Sequence, residues 1–188
     1  IWCSDNTDAM DRLRIQYGTS FCYPVSTVGA HVSAVPNGQT NRSTSMETRG
    51  VVAMCGTFGY EMDLGRCTAE EKETVRAQVR TFKDRAALIS QGDYYRLTDP
   101  FRDLTYTAWQ HVSRDRREAL VSLVTGSARA ALPFIVLKLK GLDPALRYRI
   151  DGGERIYDGA ALLHAGLSFP LIAGDYRARQ LYLRAVEA

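Results

Sequence analysis

The hydrophobic pattern of the chain changes its period near residue 97, and this change constrains the fold more than any other feature. Before it, short apolar runs alternate with helical patterns, which is typical of βα units. After it, short segments rich in β-branched and aromatic residues are separated by turn signals such as Asp151-Gly152-Gly153. The sequence therefore predicts an α/β domain over residues 1–97 and an antiparallel β-domain, folded as a sandwich, over residues 98–188.

The first half begins with a short apolar segment and an amphipathic helix. Ile1–Cys3 is predicted as the tail of a strand, and Asp8–Tyr17 as a helix that Gly18 ends. Apolar side chains at positions 10, 13 and 17 would lie on one face of this helix. Thr27–Val35 is predicted as the next strand, and a polar loop follows it.

A capping motif marks the start of the second helix. Thr44 and Glu47 fit a T-x-x-E capping box, in which each side chain accepts a backbone N–H of the other residue. The helix is predicted to run through about Met54. Thr57–Leu64 is predicted as the third strand.

A second capping box opens the strongest helical pattern of the sequence. Thr68 and Glu71 form the motif, and Gly92 ends the helix. The apolar residues of this helix recur at spacings of four and three, which predicts one buried face. They are Val75, Val79, Phe82, Ala86 and Ile89.

Three βα units are too few for the fold that they suggest. Parallel strands that alternate with helices close into a barrel or spread into a covered sheet, and a (β/α)₈ barrel takes ~250 residues. The first half therefore forms either a small open sheet or the end of a longer barrel. A start without methionine, directly on an apolar segment, favours the second alternative: the last three βα units of a (β/α)₈ TIM barrel.

Composition and charge narrow the classes of function. The chain has 188 residues and is 45% hydrophobic, which allows a sizeable core. No segment resembles a signal peptide or a run of roughly 18 apolar residues, so we expect a soluble protein without a membrane partner. The net charge is only +3 and the basic residues do not gather on one predicted face, which argues against a nucleic-acid partner.

The cysteines indicate the cellular compartment of the protein, and the histidines fit no metal-binding motif. The four cysteines share no C-x-x-C spacing, and three lie beside apolar or aromatic neighbours, as buried free thiols often do. This pattern predicts a reducing, cytoplasmic location. The three histidines have no H-x-x-x-H or cysteine companion, so we expect no metal site.

Several phrases of the first half resemble one known family. The run WCSDNTDAMDRLRIQYGTSFCYP, followed by VGAHVSAVPNGQTNRSTSMETRGVVAMCGTFGYEMDL, is similar to the last third of the catalytic barrel of bacterial α-galactosidases of glycoside hydrolase family 36, the melibiase group. SDNTDA, IQYGTS, GAHVS and GTFGYE are the specific phrases. The second half, with GLDPALRYRI, is similar to the C-terminal β-sandwich of the same family.

The resemblance also implies what these residues lack. In the family, the catalytic nucleophile is an aspartate in a lysine-tryptophan-aspartate phrase on an earlier barrel strand, and a glycine-rich sugar-binding segment lies just upstream of the SD motif. Neither phrase occurs in this sequence. The chain therefore resembles the C-terminal quarter of the enzyme, without its N-terminal β-domain and first five barrel strands.

The resemblance implies a reaction and one catalytic residue. Retaining glycoside hydrolysis uses two carboxyl groups, a nucleophile and a general acid/base. The first aspartate of SDNTDA is the general acid/base of the family and corresponds to Asp5. In a barrel, Asp5 would follow the strand segment Ile1–Cys3 at the end that faces the active site. An aspartate before a helix is otherwise most often an N-cap.

Three further residues are candidates for substrate binding. Trp2 lies at the same strand end, where its indole can stack on a sugar ring or belong to the core. His31 lies at the top of the next strand, where it can bond a substrate hydroxyl. Asp8 is the third candidate, with the N-cap of the helix as its alternative role.

Two classes of function stay open. The first is part of an enzyme, an α-galactosidase that hydrolyses terminal α-linked galactose from melibiose- or raffinose-type oligosaccharides without a bound cofactor. It needs a nucleophile from outside these residues. The second is a non-catalytic carbohydrate-binding or interaction module built on the β-domain. A preference for N-acetylgalactosamine, or transfer of galactose instead of hydrolysis, also stays open. Unpaired strand edges predict a homo-oligomer.

Overall fold

The chain folds into two units, Ile1–Ser90 and Gln91–Ala188, in the computed structural model. The structure describes residues 1–102, 105–130, 134–169 and 172–187. The strand Asp93–Arg96 lies before the domain boundary expected at residue 97, yet it pairs with Tyr106–Val112 of the second unit. Among the described residues, no helix combines the length and the apolar character that crossing a membrane requires.

The first unit is built around two parallel strands joined by a helix. β1 and β2 pair in parallel, with His31 opposite Gly59, and α2 connects them. This is the βα pattern that the sequence predicts. The elements of the unit are α1 (Ala9–Thr19), β1 (Gly29–Ser33), α2 (Met46–Ala53), β2 (Thr57–Glu61) and α3 (Ala69–Gln91).

The two faces of this strand pair differ in chemistry. Ala30 and Val32 of β1 are fully buried, and Val32 packs in a core with residues of α2, Phe58 and Tyr60. Side chains alternate along a strand, so His31 lies on the other face, where it contacts Glu61 at the end of β2. One face is therefore an apolar surface for the helices, and the other carries polar side chains.

The segment Ile1–Cys3, expected as a strand, is not assigned as one. Within this segment the ladder hydrogen bonds are at Ile1: its amino group donates to Thr27 O, and Gly29 N donates to Ile1 O at 2.9 Å. This pattern is that of a parallel neighbour, so the chain after Ile1 runs in the same direction as β1. The residues that follow therefore lie toward the carboxyl end of β1.

Two helix limits differ from the sequence prediction. α1 continues through Gly18 to Thr19, because Ser20 N still donates to Gln16 O and Gly18 takes no left-handed turn. The cap of α2 is Ser45, whose hydroxyl accepts from Thr48 N at 3.2 Å, instead of the predicted Thr44.

The capping box of α3 is confirmed. Thr68 Oγ1 accepts from Glu71 N at 3.1 Å, and Glu71 Oε2 accepts from Thr68 N at 2.9 Å. The helix ends at Gln91, directly before the predicted stop at Gly92. Gly50 of α2 lets α3 approach closely, since a Cβ there would meet the side chain of Gln78 at 2.2 Å.

The second unit is an antiparallel β-domain. Its six-stranded sheet has the order β3-β4-β5-β10-β7-β8, with every neighbouring pair antiparallel, and β6 and β9 form a separate antiparallel pair. Strands of the large sheet share one core with β6, β9 and α4. The elements are β3 (Asp93–Arg96), β4 (Tyr106–Val112), β5 (Glu118–Thr125), β6 (Ile135–Leu137), β7 (Arg147–Ile150), β8 (Ile156–Asp158), α4 (Gly159–His164), β9 (Leu167–Phe169) and β10 (Ala178–Val186).

Candidate active site

Asp5 lies in the loop between Ile1 and α1, and its carboxylate is exposed. Since the chain at Ile1 runs parallel to β1, this loop lies toward the carboxyl end of the strand. One carboxylate oxygen is held: the indole Nε1 of Trp2 donates to Asp5 Oδ1 at 2.7 Å. An exposed carboxyl group that is fixed through one oxygen can give or take a proton through the other.

The indole of Trp2 is itself held from one side. Its ring stacks on the imidazole of His31, with 4.6 Å between the ring centroids and 21° between the planes. His31 Nε2 lies 2.9 Å from Glu61 Oε2, at the distance of an ion pair but without the geometry of a hydrogen bond. The contacts thus run in a line from Glu61 through His31 and Trp2 to Asp5.

The surroundings of His31 favour the neutral form of its imidazole. Burial lowers the pKa of His31, the Glu61 carboxylate opposes this effect, and the Arg12 guanidinium adds to it. The net direction is down from the ordinary value of 6.5. A neutral imidazole presents an uncharged ring to the indole that stacks on it.

Asp8 is the N-cap of α1, so this alternative interpretation is confirmed. Its Oδ1 accepts from the backbone N–H groups of Met10 and Asp11, both at 3.0 Å, and is paired with Arg42 Nη1. Oδ2 accepts from Thr40 Oγ1 at 2.9 Å, and the side chain is only 2% exposed. Asp8 therefore ties the start of α1 to the loop after β1, and its direct contact with substrate stays a prediction.

The same loop is held by a residue that the sequence reasoning missed. Asn37 is buried; its Oδ1 accepts from the backbone of Gln39 and Thr40, and its Nδ2 donates to Thr7 Oγ1 at 3.0 Å. The available signal was the Asn-Gly pair of this polar loop, since asparagine often bonds the backbone two residues ahead. The loop and the Asp5 segment are thus fixed to each other.

Arg12 is a second residue that the sequence reasoning missed. Its guanidinium is buried and donates from Nη2 to Gly29 O at 2.6 Å and from Nη1 to Ser4 O at 3.3 Å. The buried positions of α1 include Arg12 and Gln16, not the expected apolar positions 10 and 17. Arg12 thereby fixes the backbone next to Asp5 to the first residue of β1.

A polar cavity of ≈ 470 Å³ opens beyond the carboxyl ends of β1 and β2. Arg49 is its buried cation; Nη1 donates to Ser33 O at 2.6 Å, and burial lowers the pKa of its guanidinium. The lining residues are Ala34, Val35, Pro36, Arg49, Met62, Asp63, Arg66, Cys67 and Glu71. In the part of the chain that the structure describes, no three His, Cys, Asp or Glu side chains are arranged to hold a metal ion.

The chain matches two family models that together span most of its length. Residues 1–92 match the model described as Melibiase, and residues 106–183 match the model described as Glycosyl hydrolase family 36 C-terminal domain. The first match contains the whole line of contacts from Glu61 to Asp5.

Curated relatives are similar over nearly the whole chain. The chain is 52% identical over 180 residues to the bifunctional alpha-galactosidase/sucrose kinase AgaSK of Mediterraneibacter gnavus, which covers 96% of the chain and 19% of that protein. It is 47% identical over 186 residues to the alpha-galactosidase AgaA of Geobacillus stearothermophilus, which covers 99% of the chain and 25% of that protein. The chain thus spans a quarter or less of the length of these relatives.

Solved structures also match nearly the whole chain. The galactosidase domain of AgaSK superposes with a TM-score of 0.95 at 50% identity, over 98% of the chain and 26% of that structure. A variant of the Geobacillus stearothermophilus AgaA in complex with raffinose superposes with a TM-score of 0.94 at 47% identity, over 97% of the chain and 25% of that structure.

Proposed function

The chain belongs to glycoside hydrolase family 36, and from this membership we propose that it is the part of a retaining α-galactosidase that carries the general acid/base, Asp5. The enzyme hydrolyses terminal α-linked galactose from oligosaccharides such as melibiose and raffinose. The observation that carries the proposal is an exposed carboxylate anchored through one oxygen, in the segment that matches the Melibiase model. A relative with raffinose bound supports the class of substrate.

The proposed architecture follows from the two faces of the strand pair. β1 and β2 are neighbouring strands of a (β/α)₈ barrel, with the Ala30 and Val32 side toward the helices and the His31 and Glu61 side toward the barrel interior. Parallel pairing and the apolar packing of only one face support this arrangement. The second unit is then the C-terminal β-sandwich of the enzyme, which its antiparallel sheet and second match support.

The proposed chemistry needs a partner carboxylate from outside the chain. In the first step, the nucleophile attacks the anomeric carbon while Asp5 protonates the leaving glycosidic oxygen. In the second step, Asp5 takes a proton from water, and the water oxygen attacks the same carbon. The bond between that carbon and the nucleophile breaks, which releases galactose and restores the nucleophile carboxylate. Asp8, buried and fully engaged, keeps the loop in place during both steps.

Asp5→Ala in the full-length enzyme tests the role of Asp5. Hydrolysis of melibiose, whose leaving group is poor, should fall by about 10²- to 10⁴-fold, the usual contribution of general acid catalysis. An aryl α-galactoside with an activated leaving group needs little protonation and should lose much less in the first step. Added azide should restore turnover of this aryl substrate, because it attacks the glycosyl-enzyme without a general base.

The matched control is Asp84→Ala, which removes the same group from an exposed position on α3. We expect its activity on both substrates to equal that of the unchanged enzyme. Equal losses on both substrates after Asp5→Ala, without rescue by azide, would mean that Asp5 does not move protons.

Location and assembly follow as further proposals. Four free cysteines, two of them buried, suit a reducing compartment, which supports the cytoplasm. β2 pairs with β1 on one side, and its other edge supports pairing with further strands of the same polypeptide or with a second copy.

A further inference from the structure

We propose that Trp2 and His31 are positioning residues for Asp5. The indole N–H of Trp2 holds the carboxyl group in one orientation, and the imidazole of His31, set between Glu61 and the indole, holds Trp2. The proposal rests on the proposed function and deepens it, because it gives both aromatic residues a task other than contact with the sugar.

The hydrogen bond determines which oxygen of Asp5 reacts. Oδ1 accepts the indole N–H at 2.7 Å, so the acidic proton of the neutral carboxyl group sits on Oδ2. In the first step this proton moves from Oδ2 to the glycosidic oxygen as the bond between that oxygen and the anomeric carbon breaks. In the second step a proton of water returns to Oδ2 as the water oxygen bonds the anomeric carbon and the bond between that carbon and the nucleophile carboxylate breaks. Oδ1 keeps the same donor throughout.

The position of the indole is set by the strands of the parallel pair. His31 lies in the middle of β1, its side chain is only 12% exposed, and Glu61 lies at the end of β2. The imidazole supports one face of the indole, and Trp2 as a whole residue is 57% exposed. Rigid strands locate a reacting group more precisely than a free loop does, so this support improves the aim of Asp5.

Arg12 completes the arrangement from the backbone side. Its guanidinium holds Ser4 O beside Asp5 and Gly29 O in β1, at 3.3 and 2.6 Å. The backbone and the carboxylate of the Asp5 loop are therefore anchored separately to the same strand. Trp2 supplies the anchor of the carboxylate, which is the anchor that bears on proton transfer.

Trp2→Phe in the full-length enzyme tests the proposal, because it keeps an aromatic ring and removes the N–H. We expect kcat on melibiose to fall by about 10- to 100-fold, since misplacing a catalytic group is costly, with KM almost unchanged. On an activated aryl α-galactoside the loss of kcat/KM should be several-fold smaller. His31→Ala should also lower kcat on melibiose. His31→Phe retains the stacking on the indole and should lower kcat less.

A double-mutant cycle separates positioning from structure. If Trp2 acts through Asp5, Trp2→Phe should cost nothing further in the Asp5→Ala background, measured on the activated substrate. Trp109→Phe is the matched control: it makes the same change in β4, where the buried indole N–H has no hydrogen-bond partner among the described residues. We expect Trp109→Phe to leave the ratio of the two substrate activities unchanged.

Three results would overturn the proposal. The first is no effect of Trp2→Phe on activity. The second is a rise in KM at constant kcat, which indicates that Trp2 stacks on the sugar. The third is an equal loss of activity on both substrates that persists in the Asp5→Ala background, which indicates a purely structural role. Failure of the proposed function is distinguishable, because it appears in Asp5→Ala itself as equal losses without azide rescue.

Discussion

Two aspartates three residues apart have different surroundings, which suit them to different roles. The Asp8 carboxylate is buried and receives backbone N–H groups, a hydroxyl and the Arg42 guanidinium, so its charge is compensated on all sides. The Asp5 carboxylate is exposed and takes one hydrogen bond from Trp2. A carboxylate with several fixed donors is a poor proton carrier, whereas one with a free oxygen is available for chemistry.

The histidine beneath Trp2 gives a pH-dependent prediction. Burial lowers the pKa of His31 below 6.5, although Glu61 opposes the change. The folded state therefore binds this proton less readily than the unfolded state does. The stability contributed by a neutral His31 should be fully present above pH 6.5 and should be lost as the pH falls through the lowered pKa of the folded state.

Histidine-labelled NMR of the full-length enzyme measures this titration, with His31→Gln identifying the signal. We expect a midpoint below 6.5 and, in His31→Gln, a weaker loss of stability between pH 7 and pH 5. A midpoint above 6.5 would mean that attraction to Glu61 outweighs burial.

The helix caps illustrate which local features the sequence predicts well. The box of Thr68 and Glu71 forms as expected, because no other capping side chain adjoins it. The stretch RSTSMET offers three neighbouring hydroxyl side chains, so local rules alone do not distinguish Thr44 from Ser45. In the structure Ser45 is the cap, and Thr44, one residue earlier, is buried.

This choice makes a prediction at the scale of one helix. Ser45→Ala should destabilise α2 by about 1 kcal/mol, because it removes the hydroxyl that accepts from Thr48 N. Hydrogen exchange of the Thr48 amide measures the loss directly. Ser43→Ala removes the same hydroxyl from an exposed position two residues earlier and should change the exchange little. Equal effects of the two changes would argue against Ser45 as the cap.

The polar contacts between elements could not be predicted from the sequence, and the reason is physical. Asp5, Trp2 and His31 were identified as candidates from the resemblance and from predicted places at strand ends, although His31 lies in the middle of β1. Their line of contacts depends on the register of residues far apart in the chain. Arg12 was missed because a charged residue on the buried face of a helix breaks the periodic pattern used to find that face. Its partners are backbone carbonyls, which sequence patterns do not reveal.

At the scale of the whole molecule, the chain supplies one of the two carboxyl groups of the proposed reaction. We therefore expect the isolated 188-residue chain to show no measurable hydrolysis of an activated aryl α-galactoside. The measurement is a rate assay on rigorously purified chain, with Asp5→Asn as the control for contaminating enzyme. Turnover that is present in the unchanged chain and absent from Asp5→Asn would show that the chain holds a complete catalytic pair.

Substitutions on the two faces of β1 should cause two different kinds of defect. At Ala30 and Val32, which are fully buried, the limit is volume: a larger or smaller side chain disturbs close packing and lowers the amount of folded protein. At His31 the limit in the proposed positioning role is chemical, so we expect a substitution to leave the amount of protein normal and to slow each molecule. We therefore expect protein yield and turnover per molecule to depend on alternate positions of a single five-residue strand.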